Sequence, residues 1–210
     1  MMKFQIAFLV LSSFFIQVGL GADSQNAVKK DFPENSVLGV DYNSMLYKVR
    51  ISFRSYNFSG LILLKNQVQD TSTHVVFMSE FGLTLLDVKY KNDYFELVSS
   101  KEFFNDPRLI NVIKDDFRVL LQNLEYVQDY RISGTKTPEV KKLKFAHLSS
   151  RFIYLYAPGF FVEKATKRIN MLKVVHVDIV RNELHAPKII RFTHRGFSLK
   201  IDLELINIKQ

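Results

Sequence analysis

The feature that most constrains this fold is a two-residue alternation of apolar and polar side chains. In residues 46–55 (LYKVRISFRS), Tyr47, Val49, Ile51 and Phe53 alternate with Lys, Arg and Ser. Side chains of an extended strand point to opposite faces in turn, so this pattern predicts a β-strand with one buried face.

The closing segment, residues 197–208, repeats the alternation, with Leu199, Ile201 and Leu203 separated by charged residues. Shorter apolar runs between polar turns predict further strands at 58–65, 74–79, 83–90, 94–99, 126–132, 140–147, 151–157, 160–166, 171–180 and 188–194. In the second strand, Gly60 is interpreted as a bulge or as a close approach of another backbone. Because most of the connecting turns are short, we expect about twelve strands that pair mainly in antiparallel fashion.

One segment has a helical period instead. Residues 106–122 follow a capping Asn105-Asp106 pair, and Pro107 suits a first helical turn. The apolar side chains that recur at three- and four-residue steps are Leu109, Val112, Ile113, Phe117, Leu120, Leu121 and Leu124. The pattern predicts one long helix whose apolar stripe packs on a sheet, with Asp115 and Asp116 in solvent.

The N-terminal segment is typical of a secretory signal peptide. Lys3 precedes a mostly apolar run from Ile6 to Leu20, and the small residues Gly21 and Ala22 follow. An uncleaved membrane anchor is the alternative, but the run is short for a span of about 20 residues, and the small residues favour cleavage. We therefore expect residues 1–21 to be a signal peptide and residues 22–210 to be a single β domain.

The residue types exclude several ways of anchoring or stapling an exported chain. The sequence of 210 residues has no cysteine, so it can form neither a disulfide nor the lipid attachment of a lipoprotein. The formal net charge is +8, and its tightest cluster is Lys141, Lys142 and Lys144. We interpret this cluster as a solvated strand face rather than a lipid-headgroup patch, and the export signal argues against nucleic acid as a partner.

No catalytic or metal constellation stands out. The chain lacks a Gly-x-Ser-x-Gly elbow and a phosphate-binding glycine loop, and its paired carboxylates fall on predicted polar faces. His176 and Asp178 share a strand face, while His185 and His194 lie near turns, and nothing in this spacing brings several ligands together. We predict a chain that is not an enzyme and that needs neither a metal nor a cofactor.

The order of elements resembles the LolA/LolB-like group of bacterial envelope proteins. The resemblance is carried by the amphipathic first strand YKVRISF, Ser59-Gly60 at the start of the second strand, the hairpin reaching SEFGLTLLDVKY, the strand YFELV, the helix LINVIKDDFRVLL, and the closing pair KIIRFTHRGFSLKIDLEL. SGLILLK, FMSEFGLT and the Asp116-Phe117 pair are in addition similar to envelope proteins of Bacteroidota.

The resemblance implies a mainly β fold with one long helix (α+β). This fold is a half-open antiparallel barrel of about twelve strands, with the helix across its concave face. It further implies a periplasmic location, an apolar interior that receives the acyl chains of a lipid or lipidated protein, and a transient membrane contact. The chain departs from the LolB pattern because it lacks the lipid-anchoring cysteine. No segment of the sequence alone stands out as the protruding hydrophobic loop used for membrane delivery.

The apolar faces are the candidate binding site. The cavity candidates are Tyr47, Val49, Ile51, Phe53, Leu61, Leu63, Phe77, Leu85, Phe95, Leu97, Leu109, Ile113, Phe117, Leu199, Ile201 and Leu203. These stripes fit either a ligand cavity or a filled core. The leading hypothesis is thus a carrier for a hydrophobic ligand, and the alternative is a ligand-free interaction or assembly protein of the envelope.

Overall fold

The computed structural model describes residues 37–39, 41–53, 55–67, 69–91, 94–101, 104, 106–121, 130–136, 140–147, 150–159, 161–169, 172–196 and 198–210. These residues belong to one compact unit, Pro33–Gln210. The predicted signal peptide at 1–21 and the cleavage site after it lie outside the described residues.

The strands are β1 (Ser44–Phe53), β2 (Tyr56–Gln67), β3 (Ser72–Met78), β4 (Thr84–Lys91), β5 (Tyr94–Ser100), β6 (Tyr130–Gly134), β7 (Lys141–His147), β8 (Ser150–Ala157), β9 (Phe161–Ile169), β10 (Leu172–Arg181), β11 (Pro187–His194) and β12 (Leu199–Lys209). Helix α1 (Pro107–Leu121) lies between β5 and β6. Every predicted strand is present. Strand β6 extends two residues beyond the predicted end at 132, and residues 126–129 of that prediction lie outside the described residues.

The strands form one twelve-stranded sheet in the order β5-β4-β3-β2-β1-β12-β11-β10-β9-β8-β7-β6. All of its ladders are antiparallel, and the first strand pairs with the last, so that Ile51 lies opposite Ile201. Within the described residues β5 and β6 are the two edges, and no ladder joins them. The prediction of a half-open antiparallel barrel with one long helix is confirmed.

The concave face of the sheet carries the core, and α1 lies across it. Phe117 of the helix contacts Phe77 of β3 on one side and Phe192 of β11 on the other, with ring centroids 5.8 and 6.1 Å apart. The outer faces of β1 and β12 present charged side chains instead, as the alternation predicts. Packing of an apolar helix stripe on an apolar sheet face is what buries both.

Gly60 marks a close approach of two backbones, one of the two interpretations of this residue. A Cβ atom at this position would lie 2.3 Å from the carbonyl oxygen of Met78. Gly60 is also in regular register with Val49, so the strand is not bulged there. The contact requires a residue without a side chain.

Among the described residues, no helix is long and apolar enough to cross a lipid bilayer. Helix α1 carries apolar residues on its buried side and charged residues such as Lys114 and Arg118 elsewhere. Its amphipathic character fits its position on the sheet, where only one side of the helix is covered.

Candidate functional site

Most of the sequence-predicted cavity residues meet on the concave face. Those that are fully or almost fully buried there are Tyr47, Val49, Ile51, Phe77, Ile113, Phe117, Leu199, Ile201 and Leu203. They come from β1, β3, β12 and α1, elements that sequence separates by up to about 150 residues but that the sheet order and the helix bring together. This concave face beneath α1 is the candidate functional site.

Three candidates lie on the opposite, outer face of the sheet. Leu61 is opposite the exposed Lys48 of β1, and Leu63 is opposite Leu46, whereas the inward residues of β2 are Ile62 and Leu64. In β4, Leu85 likewise points outward, because its neighbour Leu86 is the buried residue of the pair. In β2 the run Leu61–Leu64 is apolar on both faces, and only Lys65 marks the outer one, whereas in β4 Asp87 and Lys89 follow Leu85 at two-residue steps.

Two further candidates lie on the concave face close to the open edge of the sheet. Phe95 of β5 is opposite Tyr90, and Leu97 is opposite Val88. The Phe95 ring packs edge-on against Tyr90 at 5.3 Å, and the Lys114 ammonium lies 5.3 Å from its centroid. Leu97 is nevertheless 40 % exposed. The apolar interior therefore reaches solvent beside the edge strand β5.

The remaining two candidates, Phe53 and Leu109, are half-buried at the ends of their elements. Aromatic rings from several elements pack against one another in the interior. Phe104 packs against Phe58 and Phe77, and Phe77 packs in turn against Phe117. Phe117 of α1 and Phe104, which precedes the helix, thus occupy part of the interior together with rings of β2 and β3.

The room left at the C-terminal end of α1 is small. A cavity of about 50 Å³ lies there, lined by Val37, Leu38, Tyr42, Asn66, Thr73, Leu120 and Leu121. Such a volume suits a few water molecules and not an acyl chain. At this place an acyl chain would have to take space that Leu120 and Leu121 of the helix now occupy.

A buried polar pair fastens α1 to the far side of the sheet. Asp116, which has no exposed surface, accepts from Nε2 of His194 at the end of β11, with distances of 2.8 and 3.0 Å to its two oxygens. The His194 side chain is itself 5 % exposed. The expectation that Asp116 is solvated is wrong, because the helix turns this residue towards β11 while its neighbour Asp115 stays half-exposed.

The geometry indicates the protonation state of this pair. Nδ1 of His194 lies 3.0 Å from the carbonyl oxygen of Leu199, which can only accept. With a carboxylate on the other nitrogen, both ring nitrogens need a proton. Burial acts to lower the pKa of His194, but the hydrogen bonds to Asp116 and Leu199 outweigh it and leave the pKa raised. Burial also raises the pKa of Asp116, against the hydrogen bond from His194.

Other polar contacts hold the helix along its length. Asp115 is paired with Lys167 of β9 at 2.6 Å, and the Lys167 side chain is only 6 % exposed. The Tyr154 hydroxyl donates to the Val119 carbonyl at 2.9 Å, and Tyr90 donates to the Ile113 and Lys114 carbonyls at 3.3 and 3.2 Å. The helix is therefore oriented by a few specific polar contacts in addition to its apolar side. Sequence reasoning did not identify these residues, because they come from four separate elements.

A second polar cluster closes one end of the barrel. The Arg181 guanidinium donates to the carbonyls of Val37, Leu38, Val162 and His185 at 2.6 to 3.0 Å. It also lies 5.2 Å from the ring of Phe161, the first residue of β9. Burial lowers the pKa of Arg181 to about 10. These contacts fix the segment that leads into β1 and account for the burial of Val37 and Leu38.

The described residues contain no group of three or more His, Asp or Glu side chains positioned to hold a metal ion. His176 and Asp178 do share the outer face of β10, where Nε2 and Oδ1 are 3.1 Å apart. His185 stacks on Phe161 at 4.3 Å, and its left-handed backbone conformation places it in a tight turn. The histidines of β10 and of this turn are thus in ordinary side-chain contacts.

Comparison with known proteins identifies the fold. No family model matches the chain, and no curated protein matches it either. A solved LolA superfamily protein from Nitrosomonas europaea is similar in structure, with a TM-score of 0.59 and 9% sequence identity over 88% of this chain and 92% of the other. A solved DUF1329 family protein from Desulfovibrio piger has a TM-score of 0.51 and 9% identity over 88% and 90% of the two chains. The resemblance to the LolA/LolB-like group is confirmed at the level of the fold.

Proposed function

We propose that this chain is a periplasmic carrier that binds a lipid, the acyl chain of a lipidated protein, or another hydrophobic ligand beneath α1. The observation that supports this most directly is the cover of the concave face. In the part of the chain that the structure describes, the apolar surface of an open sheet is covered by one amphipathic helix and not by a second sheet. One helix can move away as a unit, whereas a packed sheet cannot.

Ligand entry follows from the contacts of Phe117. This side chain fills the space between Phe77 and Phe192, so an acyl chain in that space replaces its contacts with similar ones. Each buried methylene group contributes about 0.8 kcal/mol. A handful of methylenes then offsets the loss of a few helix contacts. Leu97 of β5, which is partly exposed on the concave face, marks the point where the ligand enters.

The membrane contact belongs to the turn between β3 and β4. Phe81 is 99 % exposed at its tip, and Leu83 is 59 % exposed. The chain reverses at Gly82, whose φ of 80° favours glycine. A projecting phenylalanine on a tight turn suits brief insertion among lipid chains. This turn is the protruding hydrophobic segment that was not evident from sequence.

The test of the proposal is lipid recovery from the full chain expressed with its N-terminal segment. Native mass spectrometry of the purified protein and analysis of an organic extract are expected to show co-purified lipid. The absence of lipid, together with no binding of added palmitate, would refute the carrier. The chain would then fit the alternative, a ligand-free interaction or assembly protein of the envelope.

A matched pair of variants on β5 connects binding to the concave face. Leu97 points to that face, and Tyr94, which is opposite Lys91, points to the other; they are 40 % and 63 % exposed, so neither substitution buries a new charge completely. Leu97→Glu is expected to weaken palmitate binding by about tenfold, and Tyr94→Glu to leave it unchanged. The chain has no Trp, so Phe95→Trp supplies a single fluorescent reporter for both titrations. Equal effects of the two substitutions would place the ligand elsewhere.

The two buried candidates Ile51 and Leu199 provide a more severe test. Ile51→Glu and Leu199→Glu are expected to abolish ligand uptake, and Lys200→Glu on the outer face of β12 is the control. Circular dichroism establishes which variants fold. A folded Leu199→Glu protein that still binds palmitate normally would contradict the proposed site.

A further inference from the structure

The outer face of β6 to β9 carries a dense set of cations. We call this set the basic face: Arg131, Lys142, Lys144, Arg151, Lys164 and Arg168. Their placement follows from the residues between them, since Leu143, Phe145, Phe152, Tyr154, Ala165 and Lys167 are the buried, inward members of β7, β8 and β9. Of the cluster predicted from sequence, Lys142 and Lys144 lie on this face and Lys141 alternates to the other side of β7. The cations extend over four strands, and this extent favours the headgroup patch over the solvated strand face that the sequence suggested.

The register places like charges directly opposite one another on this face. Arg131 of β6 pairs with Lys144 of β7, and Arg151 of β8 pairs with Arg168 of β9. Like charges at directly opposed positions destabilise a sheet. The arrangement therefore does not serve the stability of the fold.

The same sheet shows the opposite arrangement where it is only a solvated surface. On the outer face of β1, β11 and β12, Lys48 pairs with Glu204, and Arg50 pairs with Asp202. Arg191 of β11 is also opposite Asp202, with 3.9 Å between Nε and Oδ1. Cations alternate with anions there, so the single sign of the basic face is a local feature and not a consequence of the net charge.

The residues between the cations are small or aliphatic. Within β6 to β9, the described positions in register on the basic face hold no Asp or Glu, and the intervening positions are Ser133, Ala146, Ile153, Leu155 and Thr166. At the border with β10 the single sign ends, because Asp178 lies opposite Lys164 and the exposed Glu163 precedes Lys164 in β9. Specific protein interfaces are centred on Tyr, Trp, Phe, Met and Arg and are poor in Lys. The described cation positions of this face and the positions between them hold no aromatic residue and no Met, and three of the six cations are Lys, which disfavours a folded protein as its partner.

We infer that the basic face binds the anionic headgroup surface of a lipid bilayer. Four strands spaced about 4.8 Å apart present the cations as a broad array rather than a pocket, which suits many phosphates and not one ligand. Leu172, 60 % exposed, begins β10 at the strand end beside Arg168, and the Phe81 turn emerges at the same end of the sheet. Cations beside exposed apolar side chains are the pattern of a membrane-surface contact.

The inference is independent of the ligand on the concave face, because it depends on the charge layout alone. Each Lys or Arg close to an anionic surface strengthens binding by about fivefold, and the effect decays within a Debye length. We therefore expect the full chain to bind vesicles that contain phosphatidylglycerol, to bind pure phosphatidylcholine vesicles much more weakly, and to lose the difference at high salt.

The experiment is flotation of the purified full chain with vesicles of phosphatidylcholine alone and with about one-third phosphatidylglycerol. The test variant reverses three lysines of the basic face, Lys142→Glu, Lys144→Glu and Lys164→Glu. It is expected to weaken binding to the anionic vesicles at least tenfold. A milder variant with glutamine at the same positions serves if the reversed one does not fold, and it is expected to weaken binding at least threefold.

The matched control changes the net charge equally at exposed lysines of β11 and β12, Lys188→Glu, Lys200→Glu and Lys209→Glu. Control binding is expected to change less than threefold. The inference is overturned if both triple variants lose binding equally, if the wild-type chain does not distinguish the two vesicles, or if poly-glutamate or duplex DNA at equal charge concentration binds more tightly than the anionic vesicles.

A third protein separates this inference from the carrier proposal. Phe81→Ser removes the apolar tip and leaves the basic face intact, so its selectivity for anionic vesicles is expected to persist. Palmitate binding by the lysine variants is expected to match the wild type. Loss of anionic selectivity with intact palmitate binding therefore tests the basic face alone, and loss of palmitate binding tests the concave face alone.

Discussion

The run Leu61–Leu64 of β2 has apolar residues on both faces of the strand, yet the two faces differ in burial. Ile62 and Leu64 point to the concave face and have no exposed surface, whereas Leu61 and Leu63 point outward and are half-buried. In β1, by contrast, the outer face is marked by Lys48 and Arg50. The difference shows that the helix decides which apolar side becomes the interior, because α1 covers only one of them.

The comparison of the two faces is tested most strongly at the centre of the helix. Phe117→Ala removes the ring that bridges Phe77 and Phe192 and is expected to lower the free energy of unfolding by about 3–5 kcal/mol. Val112→Ala, at a half-buried position of the same helix, is expected to cost less than half as much. Urea unfolding followed by circular dichroism measures both. Similar losses would mean that the helix is only loosely packed on the sheet.

A smaller effect separates the faces within a single strand. Leu64→Ala is expected to destabilise the protein by about 2–5 kcal/mol, because it leaves a cavity in the concave face. Leu63→Ala removes the same atoms from the outer face, where the neighbouring side chains are already partly solvated, and a loss below about 1.5 kcal/mol is expected. Thermal and urea unfolding of the two proteins provides the measurement. If Leu63→Ala lost more stability than Leu64→Ala, the assignment of the interior to the Leu64 side of β2 would be wrong.

The smallest effect concerns the polar contact that orients the helix. The raised pKa of His194 adds stability that is complete below its unfolded pKa of about 6.5 and is lost as the pH rises through the folded pKa. The raised pKa of Asp116, caused by its burial, acts in the same direction. Asp116 also interacts electrostatically with three nearby titratable side chains, Tyr90, Asp115 and Lys167. We expect the free energy of unfolding to decrease as the pH rises above about 6.5.

Asp116→Asn identifies the source of this pH dependence. An amide donates to Nε2 of neutral His194 while Nδ1–H still donates to Leu199, so the decrease is expected to disappear. Asp115→Asn is the control: it leaves Lys167 without its carboxylate and lowers stability, but the pH dependence is expected to remain. Urea midpoints across the pH range measure both. A decrease that persists in Asp116→Asn would place its origin outside this pair.

The fold was largely predictable from sequence because alternation and turns are local signals. Charged residues fix the orientation of β1 and β12, so Ile51, Leu199 and their strand neighbours were placed on the correct face. Leu61, Leu63 and Leu85 were not, although the two-residue period that leads from Leu63 to Lys65, and from Leu85 to Asp87 and Lys89, marks their face as the outer one. The Asp116–His194 contact joins residues 78 positions apart. It depends on how the helix is rotated on the sheet, which a helical pattern defines only to within about one residue, or 100°.

The open seam between β5 and β6 gives the molecule a mechanical freedom that a closed cylinder lacks. In a closed barrel, strand number and stagger together set the radius. Here, in the part of the chain that the structure describes, no ladder spans the seam, so the sheet can widen by a change of twist while all of its ladders stay intact. For the proposed carrier, this means that ligands of different width could bind to the same set of strands.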